Sequence, residues 1–395
     1  MVLSISMLVT VIGIGALTAV QIQLRTASNT ADAEDARLLA QSGVEWARAV
    51  INIDPTWRTT RRNGTVVTMP LGSGSFTVTG TDPVDGDFAN SPLDPLQLDV
   101  VGYARNARQA IRLTLTPNTT AYTCLNAAMC SAGVASFTSG TTTGGLIATN
   151  ANMVVAGSTT KLDTNVEATG TFSGTGYYAS KTSGVAARVM PDSTVFDYYI
   201  RNGTAIAYVN KDVQNFVLSP SSNPFGATNP LGIYVIDCAG QTINVKNVRV
   251  VGTLVILNPK SDSTVDNQVN FAPAVANYPT LMVQGSITFA YDANTLNEAA
   301  GKNYNPPGTP YNGVSNVTTN DTYPSVLNGL VYVSGNLTLK NNNTLGGPLI
   351  VGGTVTSANN LIVKYDSTYL INPPPGFFDT PPMKPSASSW AQTVN

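Results

Sequence analysis

The densest group of side chains able to do chemistry is acidic: Asp82-Pro-Val-Asp85-Gly-Asp87, followed by Asp94 and Asp99. Carboxylates this close repel one another, and a calcium ion, which takes six to eight oxygen ligands, would offset that repulsion. Asp82, Asp85, Asp87 and Asp94 are therefore candidate calcium ligands. A solvated acidic turn rich in Pro and Gly is the weightier reading of the same residues. Histidine is absent from all 395 residues. That removes imidazole bases, Ser-His-Asp triads and the commonest zinc ligand. Asp192, Asp197, Asp237, Asp292 and Asp321 are strewn along the chain without the pairing a glycosidase or lyase needs. No enzyme is expected. Tyr198, Tyr199, Tyr304, Tyr311 and Tyr323 fall in or beside irregular segments, where they could stack on sugar rings but more often cap a flank of the fold.

Cys124, Cys130 and Cys238 are too few and too scattered for a zinc ribbon or a redox pair. One disulfide and one free thiol is the simplest expectation in an exported chain, with Cys124–Cys130 slightly favoured over Cys124–Cys238. The formal charge is −2 and the longest basic run is Arg61-Arg62, so nucleic acid is not an expected partner.

These residues hang on elements whose patterns are distinct. Residues 1–24 carry no charge, and a helical pattern then continues to Ile53 without a breaker. A helix of that length spans the roughly 30 Å core of a bilayer with its first half. Ser4, Ser6, Thr10, Thr18, Gly13 and Gly15 interrupt the apolar run and suit packing against other helices better than isolation in lipid. Met1, Leu3, Ile5, Leu8, Val11, Ile12, Gly13, Gly15, Leu17 and Val20 are the residues expected to build such a helical core. Farther on, Leu39, Gly43, Trp46, Val50 and Ile53 share a face that should lie on a small sheet, and Asp54-Pro55 ends the helix.

Four strand-like runs between 64 and 117 read as an antiparallel meander, with hairpins at Gly72-Ser-Gly74 and Arg105-Asn-Ala107. Beyond Pro117 the chain becomes Gly-punctuated β runs with a period near twenty. Gly329-Leu-Val-Tyr-Val-Ser-Gly and Gly347-Pro-Leu-Ile-Val-Gly-Gly are the clearest repeats, and Gly232-Ile-Tyr-Val-Ile and Gly252-Thr-Leu-Val-Ile another pair. Such strands bury a face only by stacking, which gives a parallel β-helix. The expected fold is α+β overall: a long helix over 1–54, an antiparallel head over 55–117, a right-handed-type parallel β-helix over 118–372, and a Pro-rich tail over 373–395 running extended along the solenoid. Residues 258–279 and 290–328 are expected to be long projecting loops, and Met190–Ile200 a capped helical insert.

With its uncharged start, Met1-Val-Leu-Ser-Ile-Ser-Met-Leu-Val, followed by Ala36-Arg-Leu-Leu-Ala-Gln-Ser-Gly-Val-Glu-Trp-Ala47, the chain resembles the type IV pilin superfamily. The likeness covers about residues 1–117 and is to the minor-pilin and pseudopilin branch, of the PilX and type II secretion kind. It implies a subunit held in the inner membrane, trimmed of a short leader by a prepilin peptidase, and assembled by pilus or type II secretion machinery. The product would be an extracellular self-assembled filament. The likeness also supports calcium in the head loop. If Met1 is the mature first residue, Ile5 stands where major pilins carry a glutamate, a departure shared by some tip pseudopilins. The solenoid is no part of an ordinary pilin head and resembles appended β-helices of large surface proteins. A low-copy tip pseudopilin, and a membrane-anchored adhesin that binds surface polysaccharide, are the alternative readings.

Overall fold

The computed structural model describes residues 2–54, 56–298, 301–379, 382–387 and 389–393, which leaves Met1 and Pro55 outside the described residues. The chain forms two compact units, residues 1–119 with 380–395, and residues 120–379.

In the first unit, helix α1 (Val2–Ile53) is one continuous element of 52 residues, about 80 Å at the standard rise. The hydroxyls of Thr10, Thr18, Thr26 and Thr30 each donate to the carbonyl four residues back at 2.8–2.9 Å, so they bring no unsatisfied polar group to its apolar surface. A short helix α2 (Trp57–Thr60) follows, then strands β1 (Val66–Leu71), β2 (Gly74–Thr81), β3 (Leu96–Ala104) and β4 (Ala107–Pro117) in an antiparallel meander. Both hairpins form where the turn residues place them: Leu71 pairs with Gly74, and Ala104 with Ala107.

Glycine at three places lets α1 sit directly on this sheet. A Cβ at Gly102 would lie 2.1 Å from the carbonyl oxygen of Ala36, one at Gly43 2.6 Å from Val100, and one at Gly74 2.5 Å from Leu39. That close approach selects small residues for the contact stripe. Ala36, Ala40, Val44 and Ala47 are the buried residues, together with Gly43. Leu39, Trp46 and Val50 flank them half-buried, while Ile53, expected on the same face, is 80% exposed.

The tail differs from expectation. Met383–Pro385 and Ala391–Thr393 pair antiparallel with β4, completing the edge of the first unit's sheet instead of following the solenoid. Asn52 fixes the return, accepting from the Met383 amide at 2.7 Å. An exposed β4 edge satisfied by strand pairing outweighs the disfavour of Pro for strands, since Pro385 lies at a strand end.

The second unit is a parallel solenoid, and its coils do not stack in chain order. Met129–Ser131 pairs on one side with Ile147–Thr149 and on the other with Leu349–Val351, so the first coils lie on top of the last one. After Tyr177–Ser183 the chain crosses to the opposite end, where Thr204–Ile206 pairs with the strand Ile233–Asp237. From there the coils climb in order back to residue 363. The repeats seen in the sequence are true neighbours, with Val331 over Leu349 and Ile233 over Thr253, and Val166 likewise sits over Ile147.

The crossing segment explains why one column of strands is apolar on both faces. Residues such as Tyr234, Leu254, Leu281 and Val331 point into the solenoid. Their alternates, Val235, Val255, Met282 and Tyr332, meet Val195, Phe196 and Tyr199 of the crossing segment and Tyr369 and Phe377. Strands covered on both faces read as unbroken apolar runs. The insert forms much as expected, a turn over Ser193–Phe196 capped by Asp192, then a helix over Asp197–Asn202.

Residues 258–279 are not a loop. Thr264–Ala272 is a full rung, with Val265, Val269 and Phe271 inside, Asp266, Asn267 and Gln268 turned outward, and Asn270 buried where it donates to the Pro324 carbonyl. Asn215, Asn247 and Asn267 occupy equivalent corners of successive coils at φ of +58°, +53° and +54°. Asn tolerates that left-handed conformation better than other side chains, so the Asn-rich texture marks corners rather than loops. Within the 290–328 stretch, Ala290–Tyr291 and Val326–Leu327 belong to rungs, and the segment between them is an insertion in which Leu296–Asn297 pairs with Thr322–Tyr323 and Tyr311 bridges to Val314.

Candidate functional site

Two features of the first unit stand out chemically. One is the leading half of α1. Leu3, Ile5, Leu8, Val11, Ile12, Leu17 and Val20 are all exposed, from 51% at Val20 to 86% at Leu3. Gly13 and Gly15 have no heavy atom within 4 Å of where a Cβ would stand. This stretch is long and apolar enough to cross a membrane, with a mean hydropathy of 2.1 in its most apolar window and none of that window buried. A row of large aliphatic side chains in water is unfavourable by roughly 1.5–3 kcal/mol each. The leading half thus needs an apolar surrounding that its own chain does not supply.

The other is the acidic loop between β2 and β3. Carboxylate oxygens of Asp82, Asp85 and Asp94 lie within 4.8 Å of one another. Each is placed by local hydrogen bonds. The Asp82 amide donates to Asn63 Oδ1 at 2.7 Å, and Asp82 Oδ1 accepts from the Val84 amide at 2.8 Å. Asp85 accepts from the Asp87 amide at 3.0 Å and from the Asn90 side chain. Asp82 is buried, yet its Oδ2 has no hydrogen-bond partner, and neither has Asn90 Oδ1. Unpaired buried oxygens are unfavourable unless a donor or a cation meets them. Burial, and then the charges of Asp82 and Asp85, hold the Asp94 carboxyl above its ordinary range. Arg58 reaches the Asp94 carbonyl oxygen, leaving three carboxylates against one guanidinium. A donor set of hard oxygens suits calcium better than a softer metal.

Of the four candidate ligands, Asp87 is not in this trio. Its Oδ1 accepts from the Ala89 amide at 2.9 Å and shapes the turn. Asp99 is spent elsewhere, paired across the strands with Arg112.

The expected disulfide is absent. Cys124, Cys130 and Cys238 are free, buried thiols. Cys238 faces the solenoid interior, whereas Cys124 and Cys130 belong to the outer cluster under the crossing segment, where Cys130 Sγ meets Met190 Sδ at 3.6 Å. Burial pushes the Cys130 thiol up to about 12 and the Cys238 thiol up to about 11, which makes them inert packing residues.

Three of the five tyrosines are structural as well. Tyr199, Tyr304 and Tyr323 are buried and offer no face to a sugar. Tyr304 and Tyr323 belong instead to a polar latch that the sequence did not reveal. Buried Arg249 donates to the carbonyls of Tyr304, Thr309 and Pro310 at 2.7–2.9 Å, and buried Glu298 accepts from the Tyr304 amide and the Tyr323 hydroxyl. The latch ties the 290–328 insertion to the rung below it.

No family model matches this chain, and no curated protein does. Among solved structures it is similar to the competence-associated pilin ComZ from Thermus thermophilus, at 12% identity over 92% of this chain and 98% of that one, with a TM-score of 0.29. It is also similar to an ice-binding protein from the Antarctic ascomycete Antarctomyces psychrotrophicus, at 12% identity over 62% of this chain and 98% of the other, with a TM-score of 0.26. A third likeness is to the DUF3494 domain of an ice-binding protein from Shewanella frigidimarina, at 10% identity over 61% and 95%, with a TM-score of 0.27. All three TM-scores lie below 0.3.

Proposed function

We propose that this chain is a structural subunit of a surface filament of the type IV pilin or pseudopilin kind. It waits in the inner membrane and joins the filament through the leading half of α1, with the solenoid displayed outside. The observation that carries this reading is the division of one unbroken helix. Residues 36–47 are packed on a sheet, while the large apolar residues from Leu3 to Leu24 are exposed. In lipid, moving such a helix against its copies gains little from hydrophobic transfer, so association rests on close packing. Gly13 and Gly15 supply a place for that approach. Threonine hydroxyls already satisfied within the helix add no polar cost.

The test is a charge at the centre of the bare stretch. Leu8→Asp or Ile12→Asp should abolish filaments seen by electron microscopy of shed surface material, while the rest of the chain keeps its far-UV circular dichroism and melting temperature. Normal filaments from either variant overturn the reading. So does a wild-type chain that stays monomeric on the cell surface, the behaviour of an anchored adhesin.

Within the head, the reading extends to a calcium ion held by Asp82, Asp85 and Asp94, with Asn90 Oδ1 as a further oxygen. Calcium would offset the repulsion of the trio and fix the loop between β2 and β3. Millimolar calcium should raise the melting temperature of the wild-type chain by several degrees and leave Asp82→Asn/Asp94→Asn unaffected. An equal shift in both chains refutes it.

A further inference from the structure

The first unit contains an apolar cavity of about 310 Å³ that neither filament packing nor the acidic loop uses. It lies where α1 and the sheet part. At Gly43 and Gly102 the helix touches the strands, but at Val50 and Ile51 a gap opens above the ends of β1, β2 and β3. Trp46 forms one wall, and Trp57 and Phe88, with ring centroids 5.5 Å apart, form another.

The floor is open because of one residue. Phe76, Val78 and Gly80 follow one another along the helix-facing side of β2, and the first two are buried side chains. Gly80 stands where a third would fill the gap. The nearest atom to a Cβ there is Leu96 Cδ1 at 3.3 Å, followed by Phe88 at 3.7 Å, so a Cβ would fit with little adjustment. Glycine inside a strand weakens it, and often marks close approach by a ligand.

The rim is basic. Arg61 and Arg62 line the cavity and are exposed, and among the described residues neither guanidinium takes part in an ion pair. Asp54 is the acidic group near Arg61, and its carboxylate already accepts from the amide and hydroxyl of Thr56.

We propose that this pocket binds a small aromatic carboxylate or sulfonate, its ring between Trp46 and Trp57 above Gly80 and its anionic group at Arg61 and Arg62. Aromatic walls favour a flat ring in edge or offset contact. A cavity at the small end of the ~300–1,000 Å³ range holds a bicyclic ring rather than a long acyl chain. Guanidinium forks recognise planar carboxylates in preference to neutral groups.

The probe is 2-naphthoate, titrated calorimetrically into the full chain in nanodiscs of phosphatidylcholine, with empty nanodiscs as the blank. Saturable one-to-one binding is expected above the blank. Arg61→Glu/Arg62→Glu should weaken it about tenfold or more, and so should replacing the probe with uncharged 2-naphthalenemethanol. Gly80→Leu should abolish binding by filling the floor. Should that variant not fold, Val67→Phe narrows the pocket from its half-buried edge and should weaken binding in its place. The chain has three tryptophans, so in Trp390→Phe the remaining emission comes from Trp46 and Trp57 and should change on binding. Heat equal to the blank, or affinity unmoved by the charge reversal, overturns the proposal.

Discussion

The leading half of α1 and the solenoid interior are built from the same aliphatic residues and end in opposite states. Leu8 and Ile12 are 62% and 63% exposed, whereas Leu254, Val331 and Leu349 are wholly buried. Hydrophobicity alone does not separate them. The solenoid residues recur at a spacing that brings each over its counterpart on the next coil, so the chain buries them itself. A single helix has no second turn of chain to lie against, and its apolar surface is left for lipid or for other copies. An apolar run that its own fold does not cover is the mark of an interface.

The sharpest way to break this comparison is to place the same charge in both regions. Val331→Asp should unfold the second unit, at a cost above about 4 kcal/mol for an unpaired buried charge. Leu8→Asp should leave the unfolding transition within about 0.5 kcal/mol of wild type. Thermal denaturation followed by circular dichroism compares the two directly.

Glycines give a second, smaller contrast. Gly102→Ala pushes a Cβ against the backbone of Ala36 and should destabilise the first unit by about 1–3 kcal/mol or more, read as a lowered denaturant midpoint. Gly13→Ala meets nothing and should stabilise the unassembled helix by up to about 1 kcal/mol. If α1 helices do pack closely, the same Gly13→Ala change will shorten or thin the filaments.

Arg249→Leu tests whether the solenoid's self-sufficiency extends to its insertion. Three carbonyls lose a charged donor, each such bond being worth about 1.5–3 kcal/mol. The expected result is rapid proteolytic nicking within 301–314, with the rungs intact and the melting temperature lowered by only a few degrees.

The smallest effect is on pH. In the solenoid, a hydrogen bond from Asn244 holds Asp212 below the usual carboxylate range, the Thr242 hydroxyl does so for Asp262, and the Ala239 amide for Asp237. A carboxyl with a depressed folded value stabilises the fold above its unfolded value, about 3.9, and that contribution is lost as pH falls through the lowered values. The solenoid's melting temperature should therefore decline below about pH 4, with a shallower decline in Asp237→Asn. Residues 1–24 have no titratable side chain, and bundling of this segment should not follow that decline.

The elements were largely legible because each has its own period. The uncharged run to Leu24, the two hairpins and the eighteen-residue spacing of Val331 and Leu349 are all local patterns. Misreadings came where a residue's partner is distant. Asp266 and Asn267 read as loop because their side chains point out of a buried rung, and nothing local in the Pro-rich tail marks the distant β4 edge that Met383–Pro385 joins. The acidic loop was half legible: its carboxylates share one segment, but only folding separates Asp87 from Asp82, Asp85 and Asp94.

What the sequence determined by itself is the pair of period-driven frameworks, a helix apolar at one end and rungs of about twenty residues, because both follow from short-range backbone geometry. Tertiary structure alone decided which rung lies on which, since Met129 meets Leu349 across more than two hundred residues. It also decided that the three thiols stay apart from any disulfide, that Arg249 holds a loop, and that Gly80 opens a pocket. Those outcomes depend on which surfaces fit one another after collapse, and pairwise fit between distant segments is not written in any local pattern.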